Sequence, residues 1–218
     1  MSTSLTYALL VLGSYLLGSV PAGLIVAKAK GVDIRKVGSG NIGATNVFRQ
    51  VGKGWGILTF VLDAAKGFVP AMVFPLLAGL PQGDQTTLHL ALACGCAAIA
   101  GHNWSVFLRF TGGKGVATSA GVLLGIVPLT MLIGLVVWII LLAATGYVAV
   151  ASMGAGIAIP VAGWIQYGAG GVLLPAILTL LGILIVVRHR SNIQRLVQGT
   201  EHRFGAKGKK PPKETGQI

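Results

Sequence analysis

The sequence predicts an all-α integral membrane protein with seven transmembrane helices, one of them short or partly re-entrant. The N-terminus is expected outside and the C-terminus in the cytoplasm. Three observations carry this expectation. Charged residues are 10% and hydrophobic residues 54% of the 218, against roughly 25% charged in a soluble domain; so few charges cannot cover a soluble surface. Leu5 to Ala27, Gln85 to Leu108 and the long stretch from Gly115 to Val187 contain no Asp, Glu, Lys or Arg, and about 18 such apolar residues cross a bilayer. Finally, 16 of the 17 Lys and Arg residues fall in three segments that can share one membrane face. The formal charge of +12 is therefore a mark of topology rather than of a nucleic-acid partner. The same composition excludes disorder. Cys94 and Cys96, the only cysteines, exclude a disulfide scaffold.

The first span, Leu5 to Ala27, reads as a retained helix. Met1 to Ser4 carry no basic side chain, and the apolar run is longer than the core of a signal peptide. Pro21 is expected to kink its inner end. Lys28, Lys30, Arg35, Lys36, Arg49 and Lys53 then mark a cytoplasmic loop. A second span over about Trp55 to Leu80 leads to an external turn at Pro81 to Thr87, and a third over Gln85 to Leu108 returns to Arg109 and Lys114. The charge-free stretch that follows starts and ends on the same side, so it crosses an even number of times. Four crossings of about 18 residues fit it, with breaks near Pro128, at Thr145 to Ser152 and at Gln166 to Gly171. The first of these, Val116 to Val127, rises only about 18 Å and is the short or re-entrant one. Two crossings, making five in all, is the alternative. Residues 1–204 read as one membrane domain and 205–218 as a basic, disordered tail. Glycines at Gly95, Gly101, Gly121 and Gly125 have the spacing of close helix packing.

The remaining glycines gather in cytoplasmic loops. Gly38-Ser39-Gly40-Asn41-Ile42-Gly43-Ala44-Thr45-Asn46, followed by Arg49, has the composition of a backbone nest for an anion. Ser39, Asn41, Thr45 and Asn46 add short polar side chains, and Arg49 adds a planar cation suited to phosphate. A flexible polar loop is the plainer reading. Gly112-Gly113-Lys114-Gly115 resembles half a phosphate loop, but the Walker spacing is absent; phosphate binding without nucleotide chemistry is the expectation. After the last span come Arg188, His189, Arg190 and Asn192. The arginines fit simple anchoring, whereas His189 and Asn192, three apart, would share a face of a continuing helix. Glu201 is placed to pair with a neighbouring arginine. Asp63 and Lys66, at i and i+3 inside the second span, can neutralise each other. His102 stands where the third span leaves the membrane, and Ser152 lies in a break between apolar runs. No metal-ligand spacing, nucleophile elbow or carboxylate pair occurs, so no metal or cofactor is expected. Any chemistry must rest on phosphate positioning and electrostatics.

These motifs (GSGNIGATN with Arg49, DAAKG, GHNWSVFLRFTGGKGVAT and RHRSNIQRLVQGTE) resemble the PlsY family of bacterial membrane acyltransferases, in order from the first span to about Glu201. The resemblance implies a seven-helix inner-membrane enzyme of phospholipid biosynthesis, multi-pass, with its active site facing the cytoplasm. Its partners would be acyl phosphate, glycerol 3-phosphate and the lipid bilayer, with the soluble enzyme that makes acyl phosphate as a candidate partner protein. Its products would be 1-acyl-glycerol-3-phosphate and inorganic phosphate. It also implies substrate-site roles for Ser39, Asn41, Thr45, Asn46, Arg49, Lys114, Ser152, His189 and Asn192, and activation of the attacking hydroxyl by substrate phosphate. On this view Ser39, Thr45 and Asn46 hold the acyl phosphate end. Arg49, Lys114, Ser152, His189 and Asn192 hold glycerol 3-phosphate, while Gly38, Gly40, Gly43, Gly112, Gly113 and Gly115 are expected to bind substrate as part of the same loops. Asp63, Lys66, His102 and Glu201 are expected to support the site. A transporter for an anionic solute is the rival reading, although the polar segments cluster on one face and no repeat relates the two halves.

Overall fold

A computed structural model describes residues 3–81 and 83–204, and the expected tail at 205–218 lies outside the described residues. All regular structure among them is helical. Helix α1 (Thr3–Ser19) and α2 (Ala22–Lys28) form the first rod. Pro21 does more than kink it: Val20 and Pro21 leave the helix, and the Ala22 amide turns back onto the Val20 carbonyl at 3.0 Å. The short α3 (Ala44–Gln50) follows the first loop. The second rod is α4 (Lys53–Phe68), a π-helical turn at Val69–Val73 and α5 (Phe74–Leu77). The π turn holds Pro70, whose missing N–H breaks the regular ladder there.

Helix α6 (Gln85–Asn103) begins on an Asp84 cap, whose carboxylate accepts the Thr86 amide at 2.8 Å. It ends five residues before the expected Leu108. Ser105 leaves the helical path to donate its hydroxyl to the Ser19 carbonyl at 2.6 Å and to bridge Thr111. Between them a 3-10 turn at Val106–Leu108 runs into Arg109 and Phe110, both left-handed. Then come α7 (Val116–Ile126), α8 (Pro128–Thr145) and α9 (Val148–Tyr167). The break expected at Thr145 to Ser152 narrows to Gly146 and Tyr147, so Ser152 sits inside α9. A 3-10 turn at Gly168–Gly170 leads to α10 (Leu173–Arg188), and α11 (Arg190–Val197) closes the set. His189 and Asn192 are not on one continuing helix, because the axis bends by 49° between α10 and α11.

Among the described residues, four segments are long and apolar enough to cross a membrane: Thr3–Lys28, Lys53–Leu77, Pro128–Thr145 and Val148–Gly170. A fifth is added if α10 and α11 count as one span. Two of the seven expected crossings thus lack support from length and apolarity. Gln85, Thr86, Thr87 and His89 at one end of α6, with His102 and Asn103 at the other, lower its hydropathy. Helix α7 has 11 residues, a rise of about 16 Å.

The helices pack as neighbours: α1 along α6, α4 along α7, and α9 against both α8 and α10. In lipid such contacts depend on close approach rather than on expulsion of water. A Cβ on Gly121 would overlap the Ala64 carbonyl, and one on Gly101 would overlap the Tyr15 carbonyl. Glycine is what lets α7 lie on α4, and α6 on α1. Inside the α4 face, Lys66 bridges the Asp63 carboxylate at 2.9 Å and the Val20 carbonyl at 2.8 Å. The expected ion pair therefore also satisfies the carbonyl beside the Pro21 break.

Candidate active site

The first loop is organised by one side chain. Asn46, 3% exposed, donates its amide to the carbonyls of Ile34, Val37 and Asn41 at 2.9–3.2 Å and accepts the Ser39 amide at 3.2 Å. Asn41 accepts the Gly43 amide at 2.8 Å, and Ser39 accepts the Asn41 amide at 3.4 Å. Gly38 and Gly40 have φ of 59° and 68°, a region that disfavours a side chain. The expected anion nest thus takes a different form. The amides of residues 39, 41 and 43 turn onto the loop's own side chains, and side chains are what the loop offers outward.

Those side chains line one cleft that opens to solvent and encloses about 160 Å³. Ser39, Asn41, Gly43, Thr45, Asn46 and Arg49 form one wall, and Lys114, Gly115, Ser152, His189, Asn192 and Glu201 the other; Asp63 and His102 also reach it. Gly38, Gly40, Gly112, Gly113 and Lys66 do not line this cleft. Gly40 and Gly112 border a second polar recess that shares Ser39, Asn41 and Lys114 with it. Gly112 and Gly113 serve close packing: a Cβ on either would run into the carbonyl or ring of His102.

Lys114 donates to the Asn192 side-chain carbonyl. Burial, and the nearby Arg195 and Arg188, push its ammonium down to about 8, with Glu201 opposing them. Arg49 donates to the His202 carbonyl at 3.0 Å, while its buried Nε has no hydrogen-bond acceptor among the described residues. Glu201 pairs with Arg195 at 2.7 Å, as its position in the sequence suggests. His189 lies 2.7 Å by Nδ1 from the Ile185 carbonyl. A carbonyl only accepts, so Nδ1 carries the proton. Burial and Lys114 push the ring down to about 4, so at neutral pH Nε2 is a free acceptor. His102 lies 3.6 Å from Asp63, beneath the cleft.

Two features escape a reading of the sequence. Arg188, which reads as a simple anchor, donates to the carbonyls of Asn103, Gly112 and Gly113 at 2.5–3.3 Å and so holds the Lys114 loop. The second is an apolar groove between α7, α8 and α9 that meets the cleft at Phe60, Val116, Trp138 and Ser152. Trp138 donates its indole N–H to the Ser152 hydroxyl at 3.2 Å. Groove-lining residues read as ordinary span residues, because nothing in an apolar helix marks which side faces a void.

A polar cleft lined by Arg49 and Lys114 that meets an apolar groove, in a bundle with helices long and apolar enough to cross a membrane, defines an integral membrane protein with a two-part cavity. Residues 8–199 match the glycerol-3-phosphate acyltransferase family. Glycerol-3-phosphate acyltransferases of Desulforudis audaxviator and Geotalea daltonii are each 47% identical, over 90% and 89% of this chain and 95% and 96% of their own. The crystal structure of PlsY, an integral membrane glycerol 3-phosphate acyltransferase, in its glycerol 3-phosphate form, superposes with a TM-score of 0.81 at 42% identity. The match covers 91% of this chain and 96% of that one. Its lysophosphatidic acid form gives 0.78 at 41%. The chain belongs to the glycerol-3-phosphate acyltransferase family.

Proposed function

We propose that this protein transfers an acyl group from acyl phosphate to the 1-hydroxyl of glycerol 3-phosphate, giving 1-acyl-glycerol-3-phosphate and inorganic phosphate. The observation that carries this reading is the junction of the two cavities. A cleft walled by Arg49 and Lys114 meets an apolar groove at Ser152 and Trp138, where a phosphorylated headgroup and an acyl chain would join. The related structures with glycerol 3-phosphate and lysophosphatidic acid support the same pairing.

In the proposed reaction the glycerol oxygen attacks the acyl carbonyl carbon. The carbon–oxygen bond to phosphorus breaks, its electron pair leaves with phosphate, and the hydroxyl proton passes to a phosphate oxygen. Arg49, Lys114 and Asn192 hold glycerol 3-phosphate, with Ser152 at the junction, and the unpaired Arg49 Nε donates to its phosphate. His189 accepts from a glycerol hydroxyl through Nε2. Ser39 and Thr45 face the acyl phosphate, and Asn41 and Asn46 hold that wall in shape. The mixed anhydride is already activated, so alignment and the offset of phosphate repulsion supply much of the acceleration. No metal or cofactor enters this reaction. The enzyme would sit in a bacterial inner membrane with seven crossings, N-terminus outside and cleft facing the cytoplasm.

Purified protein supplied with acyl phosphate and labelled glycerol 3-phosphate is expected to form labelled lysophosphatidic acid, with no acylated protein accumulating when glycerol 3-phosphate is withheld. Product from acyl thioesters but not from acyl phosphate would replace the donor. A trapped acyl-serine at Ser39 would replace direct transfer.

A further inference from the structure

The apolar groove has a closed far end and a measurable depth. Its mouth is formed by Val116 on α7, Trp138 on α8 and Ser152 on α9, which also line the polar cleft. Deeper in, the same three helices present Leu123, Met131 and Ile159. On each helix the mouth and floor residues are two turns apart, which is about 10 Å. Leu123 and Ile159 belong to a packed cluster with Val127 and Leu178, so the floor is solid. Gly134 on α8 makes room for Ile159: a Cβ there would stand 2.7 Å from its side chain. Along one flank, Phe60 and Leu135 are exposed on the lipid-facing surface.

We infer that this groove is a ruler for the acyl chain, with Ile159 as its stop and Ala155, half-way down α9, as its mid-point. An extended chain advances about 1.25 Å per carbon, from C–C bonds of about 1.5 Å, so the groove encloses roughly eight carbons. Longer chains leave it sideways over Leu135 into the bilayer, where additional carbons gain nothing from the protein. Discrimination by chain length is therefore set within the first eight carbons. The inference rests on the acyl phosphate reading above.

The test is a competition. Acyl phosphates of six, eight, ten and twelve carbons are mixed in equal amounts with glycerol 3-phosphate, and the products are weighed by mass spectrometry. A ratio of products does not depend on how much of a variant folds. Ile159→Ala lowers the floor by about two carbons and should raise the ten-to-six-carbon ratio about sixteenfold, at about fourfold per buried methylene. Ala155→Leu, or the milder Ala155→Val, should lower that ratio by a similar factor. Unaltered ratios in Ile159→Ala and Ala155→Val overturn the ruler while leaving the reaction intact. No product from any acyl phosphate with the unmodified protein overturns the donor reading and the ruler with it.

Discussion

Lys114 carries the cleft's adjustable charge. Its ammonium is held at about 8, whereas the second ionisation of a phosphate monoester, near 6, is complete below that. Raising the pH through 8 therefore discharges the lysine while the substrate stays dianionic, and kcat/KM for glycerol 3-phosphate should fall along that limb. Lys114→Arg, charged throughout, should flatten the limb at a lower overall rate, since a guanidinium does not reproduce the ammonium's geometry. Lys114→Ala removes a charged hydrogen bond, and a ten- to hundredfold loss follows from about 1.5–3 kcal/mol. Wild-type kinetics in Lys114→Ala would remove the residue from the site. At this scale the polar residues of the cleft were legible in the sequence, because Ser39, Arg49, Lys114, His189 and Asn192 stand out against an apolar background. What was not legible is how they divide the work. Asn46 reads as a ligand but spends its amide on three carbonyls, and Arg188 reads as an anchor but holds a loop. Both facts depend on which distant carbonyls the fold brings near.

The rods are joined by interactions at their breaks. Lys66 on α4 neutralises Asp63 and caps Val20 where α1 gives way to α2. Both charges are almost fully buried. Lys66→Met leaves a buried carboxylate without its cation and should destabilise the fold by about 3–5 kcal/mol. The pair Asp63→Asn with Lys66→Met should recover most of that loss, read as thermal unfolding in detergent. If the double variant is no more stable than the single, the pair is not coupled. The Pro21 break and the Gly146 turn were visible in the sequence because proline and glycine carry their geometry with them. The end of α6 was not. Trp104 to Leu108 read as span, and only the pull of Ser19 and Thr111 on Ser105 turns the chain away.

For the whole molecule, the helical architecture with apolar spans was readable from composition. The number of crossings is harder, since α6 and α7 fall short by apolarity or length and depend on neighbours for cover. The proposed topology predicts distinct accessibilities for single cysteines placed in a variant lacking Cys94 and Cys96. Lys36→Cys should react with a membrane-impermeant thiol reagent only from the cytoplasmic side, and Pro81→Cys only from outside. Leu129→Cys, just beyond α7, decides whether that helix crosses. Labelling from the outside means it does, and labelling from the cytoplasm makes it re-entrant.

The candidate site also has a history in time. Lys114 meets its acceptor Asn192 across 78 residues, and Arg49 meets the His202 carbonyl across 153. A ribosome delivers α11 and Glu201 after all the helices that carry the rest of the cleft. The nascent chain therefore carries half a cleft until α11 and Glu201 have emerged, and the candidate site is complete only then.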